Sequence, residues 1–322
     1  MFVHILLSLL SLTPLSTQFP LQKRTFSNGP VITTNFPDPA FINVGGTYTA
    51  FSTSNGGHNV PIATSPDFST WTVTGADALP SLPSWSTGNT WAPDVIQLAD
   101  GSFVMYFCAT ASSAPSMHCV GTATSSTVDG PYTASPNVLA CPTAQGGAID
   151  PAGFQDSDGT LYVVYKIDGN SLGGGGTCGN GNGQYSTAIM LQKLEADGIT
   201  PNGDPIQILD RGEADGPLIE APDLILVNGT YFLFFSSNCF NGPYYDTSYA
   251  TASSVTGPYT KSSSPLLLSG DDNGALYSPG GATASLDGKQ MLFHADSKSS
   301  DASVRQMWTA GITISGTTVS IS

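Results

Sequence analysis

Five acidic residues draw attention because each sits in a short proline-containing string and most lie far apart in the chain. They are Asp38 in Phe36-Pro-Asp38-Pro-Ala40, Asp94 in Trp91-Ala-Pro-Asp94 and Asp150 in Ala148-Ile-Asp150-Pro-Ala152, with Glu220 and Asp223 in Ile219-Glu220-Ala-Pro-Asp223. Carboxylates gathered without a matching set of bases suit acid/base hydrolysis or cation binding. A calcium cage needs about 6–8 oxygen ligands, usually from one loop, and the sequence offers no such loop. It also lacks a Gly-x-Ser-x-Gly elbow, a His-Glu-x-x-His helix and a phosphate loop. Glycoside hydrolysis needs two carboxyl groups flanking the bond, one acid and one base. A third carboxylate nearby keeps the acid protonated, because like charges resist joint ionisation. Any single Asp-Pro step is also an ordinary turn opener. The weight therefore rests on Asp38, Asp150 and Glu220 occupying corresponding places in a repeat. Asp94 and Asp223, which both follow Ala-Pro, read better as structural strand-entry residues.

The elements that must position these acids are strands. A glycine turn leads into a short aromatic or aliphatic strand at Gly46, Gly101, Gly159, Gly229 and Gly288, at intervals of 55 to 70 residues. Four of the turns are Asp-Gly or Asn-Gly, through Asp100, Asp158, Asn228 and Asp287, a strong hairpin signal. Repetition at this period predicts an all-β, five-bladed β-propeller, with about four short strands per blade. The first strand of each blade lines the axis, so acids just upstream of different turns converge there. The near copies Asp129-Gly-Pro-Tyr-Thr133 and Thr256-Gly-Pro-Tyr-Thr260 add to the repetition. Thr313–Ile321 is expected to pair with the N-terminal segment and close the ring. The Gly- and Asn-rich stretch from Asp168 to Tyr185 either borders the site or is a plain linker.

Composition agrees with many strands and many turns. Only 10% of the 322 residues are charged, while Gly (36) and Pro (23) are abundant. An apolar run at residues 4–12 has the length of a signal-peptide core and is too short to span a bilayer. The expected organisation is a signal peptide over 1–18, a short pro-segment over 19–24 ending at Lys23-Arg24, and one catalytic domain over 25–322. A secreted, extracellular monomer is expected, with Asn228-Gly-Thr230 as a glycosylation sequon on a turn. A net charge of −15 and a pI near 4.2 argue against nucleic acid as a partner, and nothing points to a membrane. Of the five cysteines, Cys108 lies in an apolar strand and is expected to be a buried free thiol. The other four allow three connectivities; the loop positions favour Cys119–Cys141 and Cys178–Cys239.

The ordered strings around Asp38, Asp94, Asp150 and Glu220 resemble family 43 glycoside hydrolases over essentially the whole mature chain. That resemblance implies a five-bladed propeller that inverts configuration at the anomeric carbon. It implies that Asp38 is the general base, that Glu220 is the general acid, and that Asp150 tunes pKa and orients. Trp91 resembles an aromatic that walls the sugar subsite, and Arg305 an arginine that contacts the terminal sugar. Members often carry a His in the fifth blade near a central metal or water. Here Ser278-Pro-Gly-Gly281-Ala has none, and His294 reads as a core histidine. No metal or cofactor is therefore assigned, a central calcium included. The implied substrate is plant cell-wall oligo- or polysaccharide, cleaved to release terminal α-L-arabinofuranose or β-D-xylose. An endo-acting arabinanase is the enzymatic alternative, and a non-catalytic carbohydrate-binding propeller is the alternative of another class. The Asn-Asp-Pro-Asn, Arg-Asp-Pro and Glu-Cys strings of retaining fructan-cleaving propellers are missing.

Overall fold

The glycine turns predicted from sequence open five separate sheets in a computed structural model that describes residues 26, 29–297 and 303–322. The expected signal peptide and pro-segment lie outside the described residues. The first sheet holds β1 (Ala40–Val44), β2 (Thr47–Phe51), β3 (Pro61–Ser65) and β4 (Thr72–Asp77). The second holds β5 (Trp91–Gln97), β6 (Phe103–Ala111), β7 (Ala114–Ser125) and β8 (Thr133–Ala140). The third holds β9 (Ala148–Gln155), β10 (Leu161–Ile167), β11 (Ile189–Lys193) and β12 (Ile206–Leu209). The fourth holds β13 (Ile219–Val227), β14 (Thr230–Ser237), β15 (Asp246–Ala252) and β16 (Thr260–Lys261). The fifth holds β17 (Gly280–Ala284), β18 (Gln290–Asp296), β19 (Arg305–Ser315) and β20 (Thr318–Ile321). Each is a four-stranded antiparallel meander in chain order. The innermost strands meet in a closed cycle, β1 against β5, β5 against β9, β9 against β13, β13 against β17, and β17 against β1. The protein is a five-bladed β-propeller.

Apolar layers between neighbouring blades hold the ring together. Phe51 and Ile62 of the first blade pack with Met105 and Phe107 of the second, and Val164 and Leu191 of the third with Leu233 and Phe235 of the fourth. The ring closes where Phe36 and Trp71 meet Leu292 and Met307 of the fifth blade. Each such side chain, fully buried, contributes roughly 1.5–3 kcal/mol, which is how short strands sustain a ring. Closure differs in detail from expectation. The 313–320 region folds on itself as the β19–β20 hairpin, and the N-terminal segment bonds to the other end of β19. Val31 donates to the Met307 carbonyl at 2.8 Å and Phe36 to that of Arg305 at 2.9 Å. The short β20 leaves that part of the β19 edge free, and the N-terminal segment satisfies it.

One kink recurs in or just before every innermost strand and positions the site. Asp38, Ala92, Asp150, Ala221 and Gly281 all adopt positive φ, between 41° and 57°. Four of them precede proline, and the ladder register breaks at this point in β5, β13 and β17. The kink corrects the correspondence drawn from sequence. Asp38 and Asp150 are equivalent, but Glu220 stands one residue before the kink, where the second blade places Trp91. Asp94 and Asp223 are equivalent to each other, two residues past it. Each is buried and bonds the next blade: Asp94 Oδ2 accepts from the Gly153 amide at 2.7 Å, and Asp223 Oδ2 from that of Ala284 at 2.8 Å. Their role is structural, as the sequence suggested.

Candidate active site

Four of the kinked residues, Asp38, Ala92, Asp150 and Ala221, open onto a pocket of about 490 Å³, and every blade contributes to its wall. Asp38, Trp91, Asp150, Glu220 and Arg305 all line it, so the five site residues singled out in the sequence are brought together.

Asp38 is held from three sides. Thr53 donates its hydroxyl to Oδ2 at 2.6 Å, Arg305 Nη1 lies 2.8 Å from Oδ1, and the Asp38 amide donates to His294 Nδ1 at 3.1 Å. Burial pushes the Asp38 carboxyl up, but the Arg305 guanidinium and the hydrogen bonds from Thr53 and Arg305 help to outweigh it and hold the group below the ordinary carboxylate range. Arg305 is itself steadied by the Phe240 ring, 5.0 Å from its guanidinium carbon. Burial, helped by the Arg305 charge, depresses His294 to about 3. The imidazole is thus neutral over the working range, and it supports Asp38 as a hydrogen-bond acceptor with little charge of its own.

Glu220 has both oxygens engaged. Tyr245 donates to Oε1 at 2.9 Å, and Lys166 Nζ lies 2.9 Å from Oε2. Asp150 grips the backbone beside it, Oδ2 accepting from the Ala221 amide at 3.0 Å. Burial pushes the Asp150 carboxyl up to about 8; the Glu220 charge adds to this and the Lys166 charge opposes it. A proton is thus retained on the buried Asp150 side of the site at mildly acid pH, while Asp38 is ionised.

The glycine pair of the fifth blade has a steric reason. A Cβ on Gly280 would lie 2.0 Å from the Tyr245 ring, and one on Gly281 would lie 2.8 Å from the His294 ring. Gly280 and Gly281 let both rings reach the site, where they stack with centroids 6.0 Å apart. Asp94 and Asp223 are committed to backbone amides, and the axial cavity beneath Asp38 and Asp150 is about 40 Å³ and lined largely by Pro, Ala and Gly. Among the described residues, no group of three or more His, Cys, Asp or Glu side chains is placed to hold a metal ion.

Trp91 stacks on His118 with ring centroids 3.6 Å apart. The stretch from Asp168 to Tyr185 borders the site, through Asp168, Asn170, Ser171, Thr177 and Cys178. Cys178 is bonded to Cys239, Cys119 to Cys141, and Cys108 is free and buried, as expected. Sequence reasoning missed Lys166, Tyr245, Thr53 and His118 and undervalued His294. An unusual signal was available for Lys166, a lone cation in the apolar strand Leu161–Ile167.

A five-bladed propeller with carboxyl groups converging on one mouth of the axis is an architecture of carbohydrate-active enzymes. The sequence profile of glycosyl hydrolases family 43 matches residues 27–314. The chain belongs to this family of glycoside hydrolases. It is 27% identical over 245 residues to an extracellular endo-α-(1→5)-L-arabinanase 1 of Bacillus subtilis, covering 72% of this chain and 70% of that protein. It is also 27% identical over 263 residues to an extracellular endo-α-(1→5)-L-arabinanase of Thermotoga petrophila, covering 65% of this chain but only 50% of the relative. The fold matches the crystal structure of a thermostable family-43 glycoside hydrolase with a TM-score of 0.79 at 23% identity, over 92% of this chain and 96% of that one.

Proposed function

We propose that this chain is a secreted, inverting hydrolase that releases terminal α-L-arabinofuranose or β-D-xylose from plant cell-wall oligo- or polysaccharide. Asp38 is the general base, Glu220 the general acid, and Asp150 tunes and orients Glu220; Trp91 and Arg305 bind the terminal sugar. The observation that carries this reading is the electrostatic contrast across one pocket. Asp38 is kept ionised beside Arg305, while Asp150, next to Glu220, is pushed up to about 8. Ionised Asp38 takes a proton from water as its oxygen attacks the anomeric carbon. The glycosidic C–O bond breaks, and the Glu220 proton goes to the leaving oxygen. One displacement inverts the carbon, and solvent exchange resets both carboxyls.

In the exo reading, the terminal sugar would sit in the pocket that residues from all five blades line. The endo-arabinanase reading is favoured instead by the names of the two arabinanases described above. Nitrophenyl arabinofuranoside, xyloside and galactoside, run beside linear arabinan, separate the two. Monosaccharide from the first time point is expected, and an early oligosaccharide ladder would favour endo action. Binding of sugars without turnover would leave only the non-catalytic reading.

Roles are tested by leaving group. Glu220→Gln should cripple substrates with poor leaving groups and spare activated aryl glycosides, whereas Asp38→Asn should impair both, each by about 10²–10⁴-fold. Equal damage to both substrate kinds in Glu220→Gln would remove Glu220 as the acid. Proton NMR of the first-formed anomer checks inversion.

A further inference from the structure

Lys166 is the least expected group in the site. It stands on β10, in a run of apolar residues, and its side chain is 1% exposed. Burying a lysine is costly unless it is paired. Its Nζ lies 2.9 Å from Glu220 Oε2 and 3.4 Å from Asp168 Oδ1. Burial would lower its pKa, but the Glu220, Asp168 and Asp150 charges overcome this and hold it above the ordinary value. It is therefore a fixed cation, and Asp168 competes with Glu220 for it.

We propose that Lys166 is a positioning residue that sets the proton affinity of the Glu220–Asp150 pair, with Asp168 as its counterweight. This rests on Glu220 being the general acid. The groups facing Glu220 divide by sign. Asp150 on β9, Asp168 after β10 and Asp38 before β1 crowd the region with negative charge. Lys166 on β10 and Arg305 on β19 oppose them, while Tyr245 before β15 and His294 on β18 are uncharged. Without Lys166 the carboxyls would hold their proton too tightly for release to a departing oxygen. With Lys166 given wholly to Glu220, the proton would be lost too early. Sharing it with Asp168 places the pair between these limits.

The experiment is the alkaline limb of kcat/KM against pH, measured on the poorest leaving group that the wild type cleaves. Carbon NMR titration of the side-chain carboxyls is run on the same proteins. Lys166→Met removes a cation, so the ionised carboxylate is disfavoured and the limb moves to higher pH by about 1–3 units. Asp168→Asn removes an anion and moves it to lower pH. Lys166→Arg restores the wild-type position. A purely structural lysine would lower kcat or the melting temperature without displacing the limb. An unmoved limb in folded Lys166→Met, or shifts of the same sign in both charge variants, overturns the proposal. If Lys166→Met does not fold, Asp168→Asn decides: a lowered limb supports the proposal, and an unmoved or raised one overturns it. NMR separates this failure from that of the acid assignment. Carboxyl titrations that move as stated while Glu220→Gln spares no aryl glycoside would sink Glu220 as acid and leave the charge balance standing.

Discussion

The backbone amide of Asp38 donates to Nδ1 of His294 at 3.1 Å, across 256 positions of sequence. This bond ties the first blade to the fifth at the pocket, beside the Arg305–Asp38 ion pair, which spans the same blades. Closing the ring and fixing the Asp38 carboxylate are thus one structural act.

His294→Phe keeps a ring against Tyr245 but leaves the buried Asp38 amide without an acceptor, at a cost of about 1–3 kcal/mol. A lower melting temperature is expected, together with a fall in kcat larger than any rise in KM. A variant that loses stability but keeps kcat would show that the bond closes the ring without aiming the carboxylate.

Arg305→Met removes the charge that holds Asp38 low. As the proposed base, Asp38 must be ionised, so its pKa sets the acid limb of the pH–rate profile, and that limb should move to higher pH. The same shift affects stability. A carboxyl with a depressed folded pKa contributes stability that is present above its unfolded value of about 4 and is lost as pH falls through the folded one. Arg305→Met should therefore blunt acid unfolding at its low-pH end, as read by fluorescence between about pH 1 and pH 4.

Asp94, Asp150, Asp223 and Asp246 work in the opposite sense. Burial raises them to about 6, 8, 8 and 6 respectively. Raised carboxyls contribute stability that is full below about pH 4 and is lost as pH rises through the folded values, by at most about 1.4 kcal/mol per unit for each group. The melting temperature should fall from mildly acid pH toward pH 8. Asp223→Asn keeps an acceptor for the Ala284 amide and should flatten that fall. An unchanged slope would mean that Asp223 ionises freely.

The blades, their number and the residues at the pocket were legible because hairpin turns and Asp-Pro or Ala-Pro kinks are local signals. Glycine and asparagine at positive φ leave a mark in the sequence wherever the backbone needs them. The one-residue offset of Glu220 from Asp38 and Asp150 was not legible, since it depends on which residue carries the kink. Lys166, Tyr245 and Thr53 were missed for a related reason. They act from second strands, adjacent loops and neighbouring blades, and no spacing along the chain encodes a contact across blades. Ring closure was misread because β19 is long enough to serve two partners at once.

Cys178–Cys239 spans 61 residues and Cys119–Cys141 spans 22. Chain-entropy arguments give roughly 4 and 3 kcal/mol for loops of these sizes. Only the first pair lines the pocket. Cys178→Ser with Cys239→Ser should lower stability and raise KM, because the Gly-rich loop loses its anchor. Cys119→Ser with Cys141→Ser should lower stability with a smaller change in KM. Equal KM effects would show that the loop holds its place without the bond.

Asn228 and Gly229 form the two-residue turn joining β13 to β14, and Asn228 is exposed. Glu220 lies at the opposite end of β13, roughly 25 Å away at about 3.3 Å per residue. The hairpin tips thus form a rear face, remote from the pocket. A sugar tree on Asn228, a fused module or an attachment to a solid support at that face would leave the working mouth unshaded. The molecule has a handle and a blade edge at opposite poles, and material can be added to one without dulling the other.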